Sequence, residues 1–314
     1  MAKMIVPIFS MRSYETRKYA VLKDGNFQLH LHRAQPGDLI AVPFNISDMG
    51  DLTYLFPDFK FVQFQYGFNA DETRQWFWDW NQSNVDEIMR VYNLDTLITD
   101  ISGYNGVHNF IFNANISKVS SMPRLYIDKY WDKDLETAKS AIRVFVLNHS
   151  QKDEFVANGI SADKIVVSQK VVNPSVIERY TKRIDHDEIQ PLGSNVVFFP
   201  FRISDPCYDF MGVAKTCAET GNMLVITDPN DTFIDKKSML KRMYPNLEIM
   251  DYKLDKVSYY IVLSQQPTII YNENPDKVFH PGLGELIYFD ANIISDYNIP
   301  SIDDILITGD VWQN

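Results

Sequence analysis

Residues 196–216, VVFFPFRISDPCYDFMGVAKT, decide the fold class. Val196 to Phe199 are apolar at consecutive positions, with no polar alternation. A strand with one wet face alternates; a continuous run marks a strand covered on both faces, as in parallel sheets. From Asp205 to Glu219 the apolar residues take helical spacing. A buried strand followed by a helix is half of a βαβ unit, the crossover that parallel pairing requires.

The alternation continues toward the C-terminus. Strands are expected at MLVITDP (223–229), LEIMDY (247–252) and PTIIYNE (267–273), with a short one near ANIIS (291–295). Helices are expected over Asp235–Met243 and Lys253–Leu263. Toward the N-terminus, NPSVIERYTKRIDHDEIQPLGSN (173–195) is polar and bracketed by Pro174 and Pro191–Gly193, and reads as a linker. Before it, strand-length runs recur at 4–10, 38–45, 60–67, 95–102, 124–128, 143–148 and 164–169. Helical segments are expected within 14–25, 71–93 and 150–159, the last with Ser150 as its cap and Gly159 past its end. Two βαβ arrays joined by a linker predict an α/β protein with two Rossmann-like, doubly wound domains facing a cleft. The expected boundaries are 1–173, a linker over 174–194, and 195–314.

Composition narrows the function classes. The 314 residues are 45% hydrophobic and 13% aromatic, enough for two cores and too apolar for disorder. No apolar run approaches membrane-spanning length. The start, MAKMIVPIFSMRSYE, reads as a first strand rather than a signal peptide. Cys207 and Cys217 are the only cysteines, which suits a reducing cytoplasm and gives neither a disulfide framework nor a zinc motif. The net charge of −11 argues against a surface that grips nucleic acid throughout, while leaving room for a local basic face. Arg12, Arg17 and Lys18, interleaved with Tyr14, form such a cluster; a solvated helix face explains the same residues.

Ligands of open α/β sheets bind beyond the carboxyl ends of the strands. In the second array that places Arg202, Asp228 and the segment His280-Pro-Gly282-Leu283-Gly284-Glu285 on one edge. An arginine there suits a bidentate phosphate contact, or equally a salt bridge to Asp205 or Asp209. The two glycines allow close backbone approach, and a helix start offers free N–H groups to an anion. Glu285 in that first turn suits either a sugar hydroxyl or the helix dipole. The carboxylates of TDPND (227–231) are explained as well by a turn, and no metal site is expected.

Three stretches carry a resemblance: 143–177, 196–216 and 279–295. They resemble glycosyltransferases of the GT-B type, in which two Rossmann-like domains close on a nucleotide sugar. The resemblance implies a nucleotide-sugar donor, a UDP-sugar in the first instance, with its diphosphate on Arg202 and the 280–284 turn and its ribose on Glu285. The chain departs from that pattern in three places. Tyr208–Asp209 stand where a lysine is expected, Ile293 stands where many retaining members have a second glutamate, and FSMRSYETRK replaces an N-terminal glycine loop. Retention and inversion therefore both stay open.

The resemblance assigns the acceptor to the first array. Candidates to take the acceptor's proton are Asp100, His108, Glu72 and Glu15. Asp100 comes first because it follows a strand and precedes the flexible SGYNG. The N-terminal half loosely resembles bacteriophage sugar transferases that modify hydroxymethylated pyrimidines. That implies duplex DNA as partner and Arg12, Tyr14, Arg17, Lys18, Tyr66 and Arg74 around the acceptor. Two other readings remain: the same chemistry on a saccharide, protein or small molecule, and a non-catalytic module that only binds a nucleotide or a protein.

Overall fold

The computed structural model describes residues 2–7, 20–44, 46–65, 67–68, 78–79, 82–114, 124–146, 149–167, 170–182, 192–201, 203, 208–228, 234–271, 282–295 and 305–307. Arg12, Tyr14, Glu15, Arg17, Lys18, Tyr66, Glu72, Arg74, Arg202, Cys207 and His280 lie outside the described residues. The chain divides into two units, Met1–Val176 with Asp304–Asn314, and Ile177–Asp303.

The first unit carries β1 (Met4–Val6), α1 (Gly25–Arg33), β2 (Leu39–Pro43), α2 (Met49–Leu55), β3 (Lys60–Phe64) and the short pair β4 (Gly67–Phe68) and β5 (Trp78–Asp79). It continues with α3 (Gln82–Val91), β6 (Thr96–Thr99), β7 (Asn109–Asn113), α4 (Arg124–Ser140), β8 (Arg143–Val146), α5 (His149–Ala157), β9 (Ile165–Val167) and β10 (Lys170–Val172). Seven of these strands form one sheet in the order β3-β2-β1-β6-β7-β8-β9. Every pairing in it is parallel. The order runs outward from β1 to β3 and then restarts on the other side of β1 at β6. That reversal is where a doubly wound sheet opens a crevice.

α6 (Pro174–Thr181) opens the segment expected to be a linker. Pro174 takes the first helical position, where its missing N–H costs nothing, and the Asn173 side chain accepts from the Ser175 N–H at 3.0 Å. Val176, Ile177 and Tyr180 are buried at helical spacing. The boundary between the units falls inside this helix.

The second unit carries β11 (Val196–Phe199), α7 (Phe210–Thr220), β12 (Met223–Thr227), α8 (Ile234–Met243), β13 (Ile249–Tyr252), α9 (Lys256–Ser264), β14 (Thr268–Ile270), α10 (Leu283–Tyr288) and β15 (Asn292–Ile294). Its sheet has the order β13-β12-β11-β14-β15, again all parallel. Here the reversal lies between β11 and β14. Asp209 caps α7 by accepting from Gly212 N at 2.8 Å, and Gly221 ends it with φ 72°, a conformation glycine adopts without penalty. Asp255 caps α9 by accepting from Ser258 N at 2.7 Å. β16 (Ile305–Ile307) does not join this sheet; it pairs in parallel with β10, so the last residues group with the first unit.

Besides α6, β5 (Trp78–Asp79) interrupts the 71–93 segment read as helical, and two strand assignments are corrected. Residues 124–128, read as a strand, begin the 17-residue α4. Trp131, Asp134 and Ala138 are buried along it at helical spacing, and three consecutive apolar residues, Leu125 to Ile127, do not by themselves distinguish strand from helix. β7 lay hidden in a segment read as loop, because only Phe110–Phe112 are apolar and Asn stands on both sides.

Candidate functional site

In the second unit, Asp228, Gly282, Leu283, Gly284 and Glu285 are the described residues among those expected on the donor side. Asp228 follows β12 directly and is buried, its N–H donating to Tyr252 O at 3.1 Å. Phe201 and Ile203 follow β11, and Tyr271 follows β14. Phe201 stacks on Tyr208 at 4.5 Å, and Tyr271 meets Phe201 edge-on at 5.3 Å. All three rings are buried, so Tyr208, at the position where the resemblance expects a lysine, is part of an aromatic plug.

Gly282 precedes α10 with φ −73° and ψ −20°, ordinary helical values that any residue adopts. Leu283 is fully buried, a core side chain. With six residues, α10 is too short for its dipole to hold an anion by itself. Glu285 is the informative residue. Its side chain is 4% exposed, and its Oε1 accepts from Lys256 Nζ at 2.6 Å and Tyr260 Oη at 2.9 Å. A buried carboxylate without such partners is costly. Burial and the neighbouring Glu285 charge push the Tyr260 hydroxyl well above its ordinary value, so it stays a donor.

Sequence reading missed Lys256 and Tyr260. The rule of looking beyond each strand, applied to β13, leads to the first turn of α9, where Lys256 stands.

In the first unit, Asp100 stands at the carboxyl end of β6, beside the reversal between β1 and β6. Its carboxylate is fully buried and accepts from His30 Nε2 at 2.7 and 2.8 Å and from Asn113 Nδ2 at 2.8 Å. Arg33 Nη1 donates to Asn113 Oδ1 at 2.5 Å. Burial lowers the Arg33 guanidinium to about 10, with Asp100 opposing the drop, so Arg33 remains charged at neutral pH. Asn113 thus links the Arg33 and Asp100 charges inside the core. His30 donates through Nε2, and its Nδ1 is buried without a hydrogen-bond partner among the described residues.

The segment after Asp100 is tied to α4. Gly103, at φ 88°, donates its N–H to Thr137 Oγ1 at 2.7 Å. Asp134 hydrogen-bonds Ser102, and burial raises its carboxyl to about 7. His30 is hard to read from the sequence because Leu29-His-Leu-His32 in α1 alternates like a strand.

His108 stands elsewhere. It precedes β7, and Thr96 pairs with Asn109, so His108 lies at the amino edge of the sheet. Four strand residues at about 3.3 Å each separate the two edges by roughly 13 Å. His108 therefore does not share a site with Asp100; it faces Asp86, Nε2 to Oδ1 3.4 Å. An open polar hollow of about 350 Å³, lined by Gly193, Asn195, Gly221, Asn222, Asn246 and Glu248, also lies at amino ends, those of β11 to β13. Among the described residues, no group of three His, Cys, Asp or Glu could hold a metal, and no helix is long and apolar enough to cross a membrane.

No protein-family model matches the sequence, and no curated protein matches it. Solved structures do match. HepE of Anabaena in complex with UDP-glucose superposes with a TM-score of 0.58 at 9% identity, over 100% of this chain and 87% of its own. AviGT4, a glycosyltransferase involved in avilamycin A biosynthesis, gives 0.56 at 11% over 94% and 79%. The UDP-GlcNAc 2-epimerase of Neisseria meningitidis bound to UDP-GlcNAc gives 0.52 at 11% over 98% and 87%. At such identities the likeness defines fold. The chain has the two-domain, GT-B-like Rossmann fold, with parallel sheets of seven and five strands.

Proposed function

We propose that the chain is a nucleotide-sugar-dependent glycosyltransferase whose donor is a UDP-sugar. The observation that carries this reading is Glu285. A buried carboxylate stands beyond β14 beside the β11/β14 reversal, where a nucleotide ribose is expected. The fold supports it, because HepE was solved with UDP-glucose and the Neisseria epimerase with UDP-GlcNAc. Arg202, Asp228, His280 and Gly282 to Gly284 complete the donor side in this reading.

In the transfer, the acceptor oxygen attacks the anomeric carbon, the bond to the diphosphate breaks, and UDP leaves. The acceptor's proton passes to a base. Of Asp100, His108, Glu72 and Glu15, we retain Asp100, since it stands at a carboxyl edge beside a reversal; His108 stands at the opposite edge. His30 and Asn113 hydrogen-bond the Asp100 carboxylate.

For the acceptor we propose a hydroxymethylated pyrimidine in phage DNA, acted on in the host cytoplasm. The support is the N-terminal resemblance and the cluster Arg12, Tyr14, Arg17, Lys18, Tyr66 and Arg74. Reaching such a base requires taking it out of the stack.

The test is mass spectrometry of hydroxymethylcytosine DNA incubated with the protein and a panel of nucleotide sugars. A mass gain of one sugar is expected; unchanged DNA refutes the acceptor. Thermal stabilisation by UDP tests the donor separately, since a ligand bound only to the native state raises Tm. A second reading, epimerisation of a UDP-sugar, is favoured by the likeness to the Neisseria enzyme, and the same incubation without acceptor reads it as an isomeric UDP-sugar.

A further inference from the structure

Lys256 has no role in the resemblance, yet its placement is specific. It occupies the first turn of α9, with Nζ 2.6 Å from Glu285 Oε1 and its side chain 21% exposed. The ammonium also lies 5.0 Å from the Tyr259 ring centroid and 4.8 Å from that of Tyr260. Such contacts favour a cation over the ring face and restrict a side chain that is otherwise among the most mobile. Tyr260, fully buried, donates to the same carboxylate oxygen at 2.9 Å. Two donors converging on Oε1 from one helix restrain the Glu285 carboxylate, and the lysine supplies the opposite charge that a buried carboxylate needs.

We propose that Lys256 is a positioning residue of the donor site. With Tyr260 it holds the Glu285 carboxylate in a single orientation toward the nucleotide ribose, and so sets discrimination between ribose and deoxyribose. This rests on the donor-site reading above. The reason is preorganisation: a carboxylate already oriented and charged meets a hydroxyl without reorganising, whereas a loose one gives up much of that gain. A site built to bond a hydroxyl also rejects the analogue that lacks it, because its polar group is left unpaired.

The experiment is calorimetric titration of the full chain with UDP and with 2′-deoxyuridine diphosphate, for the parent and for Lys256→Met, Lys256→Arg, Tyr260→Phe and Glu285→Gln. Folding of each variant is checked by its melting curve. The parent is expected to prefer UDP by roughly tenfold or more. Glu285→Gln and Lys256→Met are expected to bring the ratio close to one, Lys256→Arg to retain most of it, and Tyr260→Phe to lower it partway. A purely structural role for Lys256 predicts that both ligands weaken equally. If Lys256→Met keeps the parent's ratio while Glu285→Gln loses it, the assignment of Lys256 is overturned and the donor site stands. If the parent binds neither nucleotide, the donor site itself is overturned. Should Lys256→Met fail to fold, Tyr260→Phe reads the same contact from its other donor.

Discussion

Asp134 offers a direct test of how the segment after Asp100 is anchored. Its carboxyl is raised from the ordinary 3.8 to about 7, first by burial, with the Ser102 hydrogen bond and the Lys133 charge opposing the rise. A carboxyl raised in the folded state stabilises it fully below pH 4, and that contribution disappears as pH climbs through 7. Between those limits the folded chain holds a proton that the unfolded chain has released, and each pH unit removes about 1.4 kcal/mol. Over roughly three units the loss amounts to about 4 kcal/mol, an upper value because a strained site relaxes. Asp134→Asn keeps the shape and a side-chain hydrogen-bonding group while removing the titration. Urea unfolding of parent and variant from pH 4 to 8.5 measures the difference, the other titrating groups being common to both. The two should be closest near pH 4, with the variant gaining steadily to a plateau above pH 7. A difference that is flat with pH, or that grows toward acid, refutes the buried-carboxyl account.

Asn113→Ala should destabilise the first unit by about 2–4 kcal/mol, because it leaves Arg33 and Asp100 buried without the amide that links them. Urea unfolding reads it, and a loss under 1 kcal/mol contradicts the linkage. Asp209→Ala should cost about 1 kcal/mol through the lost α7 cap; a neutral result shows that the Gly212 N–H finds another acceptor. His108→Ala should leave transfer activity within about twofold, since the strand register sets it roughly 13 Å from the Asp100 edge. A hundredfold loss contradicts that placement.

Much of the architecture was legible because parallel strands announce themselves. Residues 39–43, 144–146, 196–199 and 223–226 are continuous apolar runs, and each lies in a largely buried strand. What failed was local. The first residues of α4 hold too few apolar positions to show a period, and α1 alternates Leu and His while being buried all round. β16 could not be placed from sequence, since its partner β10 lies more than a hundred residues earlier. The carboxyl-edge rule singled out Asp100, Asp228 and Glu285, and the structure sets Asp100 directly after β6 and Asp228 directly after β12. It could not show that Asp100 is enclosed by His30 and Asn113, or that Glu285 is gripped by Lys256 and Tyr260. Those contacts join residues 13 to 70 positions apart, and only the folded sheet brings them together.

A crystal structure of the chain soaked with UDP-glucose tests the central claim most directly. The account places the ribose within hydrogen-bond distance of the Glu285 carboxylate and the diphosphate beyond the carboxyl ends of β11 and β14. Nucleotide density in the hollow at the amino ends of β11 to β13, lined by Asn195, Asn222 and Glu248, would contradict it.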